Sequence, residues 1–208
     1  MLNTLYFCVP SLLTKLALCF IINYISIIEG DHKLESKKVK KQLDIRILTR
    51  AAMISAIIFV MTRFPMIGPI GTGYVHLGDG AVMLAAALLP QPYAIIAAVI
   101  GASLADLTAG YFIYIPMTAI IKGAMTLLFS SKSEKLVSLR NITALAVSIV
   151  INALGYYIGE AIISKSFAVP LSSIPFNLLQ GIVGAIIFVV LAIIIDANTH
   201  IRKIVRGK

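Results

Sequence analysis

The chain has 208 residues, 59% hydrophobic and only 13% charged, with a net charge of +9 and a mean hydropathy of +0.96. Soluble domains carry roughly a quarter charged residues, so composition excludes an ordinary soluble domain and points to an all-α membrane protein. The basic residues fall in short stretches near 33–50, 132–140 and 202–208 rather than on one face, which argues against nucleic acid as a partner and matches the positive-inside distribution of membrane loops.

In chain order, the first apolar stretch is 5–28, interrupted by Pro10, Lys15 and Asn23. It lacks the basic n-region and cleavage site of a signal peptide. We read residues 1–40 as an extra N-terminal hydrophobic segment with a basic linker, outside the functional core. Three readings stay open for it: a seventh helix, an interfacial segment, or non-native sequence upstream of the true start. Cys8 and Cys19 both lie in it and give neither a disulfide framework nor a metal cluster.

A membrane helix needs about 17–25 mostly apolar residues. Residues 41–200 are expected to hold six spans, near 47–64, 75–89, 93–108, 113–130, 142–163 and 174–195, followed by a basic tail at 201–208. Proline and glycine mark the loops between them, notably 65–73 and Pro90-Gln91-Pro92. With six alternating spans, Lys132, Lys135, Arg140, Arg202, Lys203, Arg206 and Lys208 share one side with the basic stretch at 33–50. That side is expected to be cytoplasmic.

The ionisable and polar residues then gather at the other, outer end. His76 and Asp79 open the second span, and Asp106 closes the third. Tyr111 and Tyr114 follow in the next outer loop, and Lys122 is about six residues, or roughly 9 Å, into the fourth span. Asn152, Tyr156 and Glu160 repeat at i, i+4 and i+8 along one face of the fifth, as do Asn177, Gln180, Gly181 and Gly184 at helical spacing in the sixth. Each has a plainer reading. Asn and Gln serve as interhelical glue, tyrosines anchor at the interface, and Lys122 pairs with Asp79 or Asp106. Polar groups from four helices at one level nonetheless suggest an outward-facing pocket closed below, because the inner half is nearly all Ile, Leu, Val and Ala. A small, hydrogen-bonding heteroaromatic ring suits the tyrosines with Asp, Asn and Gln, whereas an anionic ligand suits His76 and Lys122.

Two further patterns stand out. The first span contains Ala52-x-x-x-Ala56 and Ala51-x-x-x-Ser55, small-residue spacings that let another helix approach closely. Ile115-Pro116 leads to Lys122-Gly123, and Ile174-Pro175 leads to Gln180-Gly181, a faint echo with proline in the first helical turn of each.

The alanine motif of the first span, His76-Leu77-Gly78-Asp79-Gly80, Ala85-Ala86-Ala87-Leu88-Leu89-Pro90, and Gly101-Ala102-Ser103-Leu104-Ala105-Asp106-Leu107 followed by Gly110-Tyr111 and Pro116, together resemble the S component of an energy-coupling factor (ECF) vitamin transporter over about residues 42–200. The resemblance implies a six-helix bundle of that type in the cell membrane. It implies that the bundle binds one vitamin or precursor from outside, for ATP-driven uptake with a membrane T component and two cytosolic ATPases. The loop at 65–74 would cover the pocket, and Ala52 and Ala56 would meet the T component. Among substrates of the branch, hydroxymethylpyrimidine and pyridoxine-like compounds rank first, ahead of an anion such as pantothenate. No cofactor and no enzymatic activity are expected, since no Gly-x-x-x-x-Gly-Lys phosphate loop, His-Glu-x-x-His or Gly-x-Ser-x-Gly motif occurs. The alternative is a self-sufficient secondary transporter, with Asp79, Asp106 or Glu160 coupling protons.

Overall fold

The computed structural model describes residues 45–70 and 73–206. The N-terminal hydrophobic segment and the basic residues at 33–41 lie outside them. The described residues form seven α-helices, two short 3-10 turns and one β-hairpin.

Helix α1 (Ile45–Arg63) stops just before Phe64, which precedes Pro65 and is therefore pushed away from helical backbone. Strands β1 (Ile67–Ile70) and β2 (Gly73–Val75) pair antiparallel, with Ile67 opposite Val75 and Ile70 opposite Gly73. A plain loop was expected here, and the chain makes a hairpin instead. Helix α2 (Gly78–Leu88) ends where Leu89 turns extended ahead of Pro90. Helix α3 (Gln91–Ala109) carries Pro92 in its first turn and closes on Gly110, whose φ of 85° is the left-handed conformation that glycine adopts without penalty. Helix α4 (Ile115–Leu128) and helix α6 (Ile174–Ala197) each follow a 3-10 turn and carry a proline, Pro116 and Pro175, in the first helical turn. Helix α5 (Leu139–Ser164) is capped by Ser138, whose hydroxyl accepts from the Asn141 amide. Helix α7 (Thr199–Arg206) takes up most of the stretch read as a basic tail. The Asn198 side chain accepts from the His200 and Ile201 amides at its start, and Val205 packs against the core.

Each expected span falls on a helix, but the lengths differ. Among the described residues, four stretches are long and apolar enough to cross a membrane: Ile45–Arg63, Gln91–Ala109, Leu139–Ser164 and Val169–Ala197. Gly78–Leu88 and Phe112–Leu128 are shorter. At 1.5 Å per residue α2 is only about 17 Å long, well short of a roughly 30 Å hydrocarbon core. It is instead the axis of the bundle, buried along nearly its whole length.

The packing is inverted relative to a soluble bundle. Helix α3 buries its small face of Ala94, Ala97, Ala98, Gly101, Ala102 and Ala105, and exposes Ile96, Ile100, Leu104 and Leu107. Large apolar side chains directed outward are what lipid favours, while small residues inside let backbones approach. Gly101 is one such contact: a Cβ there would lie 2.5 Å from the Ser55 carbonyl oxygen of α1. The two small-residue patterns of α1 thus separate. Ala51 and Ser55 are buried within the bundle, and Ala52 and Ala56 are exposed. The chain is a multi-pass membrane protein.

Candidate functional site

One contact fixes the position of the most deeply buried charge. A Cβ on Gly184 of α6 would stand 2.9 Å from the Asp79 Cβ and 3.0 Å from the Gly80 nitrogen of α2. Only glycine allows the two helices so close, and the approach presses the first turn of α2 against α6.

Asp79 is fully buried there and both its oxygens are used. Its Oδ1 accepts from the Lys122 Nζ of α4 at 2.5 Å, and its Oδ2 accepts from the Gln180 Nε2 of α6 at 3.0 Å. Lys122, also fully buried, donates as well to the Asn152 Oδ1 of α5 at 2.8 Å and lies 5.2 Å from the centre of the Tyr156 ring. Asn152 in turn donates to the Asn177 carbonyl oxygen at 3.4 Å. The Gln180 Oε1 accepts from the His76 amide at 3.1 Å, while His76 Nδ1 accepts from the Gly78 amide at 3.0 Å. The Tyr156 and Thr118 hydroxyls share a hydrogen bond of 3.2 Å. An ion pair in an apolar surrounding stands only when its remaining hydrogen-bonding capacity is met, and here side chains of α2, α4, α5 and α6 meet it.

Beside this network lies a cavity of about 30 Å³. His76 and Val75 line it from the end of the hairpin, Asp106 from α3 and Tyr114 from the 3-10 turn. Tyr156 and Glu160 line it from α5, and Asn177 and Gln180 from α6. Of the residues expected at the site, these seven polar ones face one space, and Asp79, Lys122 and Asn152 lie in the network that supports it. Tyr111 does not line the cavity: it is half-buried, with its ring edge-on to Tyr114 at 5.8 Å between centres.

Val75, Ser173 and Phe176 line the cavity without having been singled out by the sequence. Ser173 belongs to a stretch read as a loop and Phe176 is apolar, so only their positions just before Asn177 signalled them. The Glu160 Oε2 and the Ser173 Oγ are buried and meet no hydrogen-bond partner among the described residues. Lys122 is committed to Asp79 and Asn152 rather than to the cavity, which removes the cation that an anionic ligand would have used.

The arrangement provides a polar, partly unsatisfied recess at one end of an apolar bundle, suited to holding a small hydrogen-bonding solute. A family model described as "ECF-type riboflavin transporter, S component" matches residues 42–197. A solved structure of the S component of a bacterial ECF transporter superposes with a TM-score of 0.54 at 22% identity, covering 71% of this chain and 93% of that one. That likeness is one of fold. No curated protein matches the chain in sequence.

Proposed function

The chain belongs to the family of ECF-type S components, and from that premise we propose that it binds a vitamin or vitamin precursor in the cavity beside Asp79 and passes it inward when docked on a membrane T component driven by two cytosolic ATPases. The observation that carries the reading is the cavity itself. Groups from the hairpin, from α3, α5 and α6 and from the 3-10 turns converge on it, and two atoms there, Glu160 Oε2 and Ser173 Oγ, meet no partner among the described residues. Polar groups buried in a membrane bundle are costly unless a solute or a partner uses them.

The ligand class we favour is a flat, hydrogen-bonding heteroaromatic ring. Tyr114, Tyr156 and Phe176 offer aromatic surface and Asn177 and Gln180 offer amides. Hydroxymethylpyrimidine, pyridoxine-like compounds and riboflavin, the substrate in the family description, all belong to that class. Drug-sized ligands occupy roughly 300–1,000 Å³, so we propose that the hairpin at 67–75 moves aside to admit the ring. The basic loops and the C-terminus are proposed to face the cytoplasm, the cavity to open outside, and the protein to catalyse no reaction itself.

The test begins with purification of the full chain and mass spectrometry of co-purifying small molecules, followed by uptake of the compound found. Uptake is expected to need the T component and the ATPases. It should vanish in the Ala52→Leu, Ala56→Leu double variant, whose altered face is exposed on α1, while the isolated protein keeps its affinity. Uptake that survives loss of the ATPases would identify a self-sufficient transporter instead. Loss of affinity in the double variant would mean that this face packs within the bundle.

A further inference from the structure

The end of the bundle opposite the cavity has its own chemistry. Leu139 begins α5, and Glu160 lines the cavity near the end of the same helix. The stretch between them spans roughly 30 Å, close to the thickness of a hydrocarbon core. Apolar side chains face outward up to this far end, Leu139 and Ile142 on α5 and Ile193 and Ile194 on α6. Basic residues begin where they stop. Lys132 and Lys135 lie in the loop before α5, Arg140 in the first turn of α5, and Arg202 and Lys203 on α7. Lys132, Lys135, Arg140 and Lys203 are exposed, and Arg202 is half-buried.

Asp196 ties these basic segments together. Its two oxygens accept from the Leu136 and Val137 amides at 2.9 Å each, so the loop is fastened to the last turn of α6 just ahead of α7. Helix α7 is sorted around its axis. Ile201, Ile204 and Val205 share one face by their spacing, and Val205 packs against the core cluster that includes Leu136. Arg202 and Lys203 fall outside that face. A basic amphipathic helix of this kind suits the plane of a membrane interface.

We propose that this end of the bundle is a headgroup site for anionic phospholipid. The loop at 132–138 and helix α7, held together by Asp196, form it, and Lys135, Arg140, Arg202 and Lys203 attract the lipid phosphate. Charge complementarity selects an anionic headgroup, since each Lys or Arg near an anionic surface contributes about fivefold in affinity. The apolar residues at its edge, above all Leu139 at 83% exposed, select a lipid over a free anion, because acyl chains cover them. The site is independent of the cavity and of what the cavity binds.

The test is native mass spectrometry of the full chain in detergent, titrated with phosphatidylglycerol or with phosphatidylcholine of the same acyl chains. Adducts of the anionic lipid are expected at a concentration lower by about tenfold or more. Arg202→Gln with Lys203→Gln should cut that preference about fivefold or more. The same loss of charge at the other end of the bundle, Arg63→Gln with Lys165→Gln, should leave it unchanged. Asp196→Ala separates a built site from bulk charge. Loss of an acid alone would strengthen attraction to the lipid, whereas release of the loop should weaken it about fivefold, the share of one basic residue no longer held in place. Equal affinity of the unaltered protein for the two lipids overturns the proposal and leaves the basic face to a protein partner. A preference that falls as far in the Arg63, Lys165 variant, or rises in Asp196→Ala, reduces the effect to net charge and overturns the site. Displacement of the lipid by millimolar inorganic phosphate would mark a site for free anions and overturn it likewise. The comparison of two lipids uses the unaltered protein, so the first outcome does not depend on any variant folding.

Discussion

Asn141 and Asn152 lie on the same helix, α5, and both are fully buried, yet they do different work. Asn141 turns to backbone: its amide donates to the Ser130 and Leu136 carbonyl oxygens, and its oxygen accepts from the Ser130 amide. Asn152 turns chiefly to the Lys122 side chain. The two aspartates divide in the same way. Asp196 accepts from the Leu136 and Val137 amides at 2.9 Å each, whereas Asp79 accepts from Lys122 and Gln180. One end of the bundle therefore uses polar side chains to hold a loop, the commoner use of such groups in proteins. The other end uses them to join four helices, and leaves Glu160 Oε2 and Ser173 Oγ without a partner among the described residues beside the junction. Burial and residue type are shared by the two regions. The site is marked by the kind of partner and by unspent hydrogen-bonding capacity.

The largest expected effect tests whether the junction truly binds helices together. Lys122→Met would leave the Asp79 carboxylate buried without its cation, and removing one partner of a buried pair costs about 3–5 kcal/mol. Unfolding of the detergent-solubilised protein should register a loss of that size. Adding Asp79→Asn should recover at least half of it, because no uncompensated charge then remains. A single-variant loss below about 1 kcal/mol would put the pair among weak surface bridges and dissolve the contrast between the two ends.

A smaller loss is expected at the opposite end. Asp196→Ala deprives two amides of the loop before α5 of their acceptor, at roughly 1–2 kcal/mol for partly exposed groups. Limited proteolysis at Lys132 or Lys135 should quicken while ligand affinity holds. Weakened ligand binding would show that the two ends are coupled.

Much of the site was legible because helical spacing is a strong constraint. Asn152, Tyr156 and Glu160, four residues apart in sequence, are all buried on one face of α5, and Asn177, Gln180, Gly181 and Gly184 are all buried on α6. The echo of Pro116 with Lys122 and Pro175 with Gln180 acquires a physical meaning: two similarly begun helices deliver their polar residues to the two oxygens of Asp79. Whether Lys122 would choose Asp79 or Asp106 could not be read from spacing, since tertiary approach of α2 to α6 decides it. The hairpin was hidden for a local reason. Its strands include Pro69 and Gly73, residues that argue against strand. Ser173 was hidden because a connector serine carries no period. The overlapping alanine patterns of α1 showed that close packing was available, and only the position of Gly101 on α3 decided that Ala51 and Ser55 would take the inner place.

The smallest expected effect lies between the two regions. Ser148 sits on the buried face of α5 between Asn141 and Asn152, is fully buried, and its Oγ meets no partner among the described residues. It shares that deficit with Ser173 but does not line the cavity. If location beside the cavity is what makes an unsatisfied group functional, Ser148→Ala should leave ligand affinity unchanged. Its stability should move by no more than about 0.5 kcal/mol, or rise, because deleting a buried hydroxyl that makes no bond removes a desolvation cost and loses no interaction. Unfolding and titration of this one variant check both statements. A loss above about 1 kcal/mol, the usual worth of a made hydrogen bond, would mean that the hydroxyl is bonded in the membrane. The polar face of α5 would then run unbroken from the loop-holding end to the cavity, and the division between the two ends would fail.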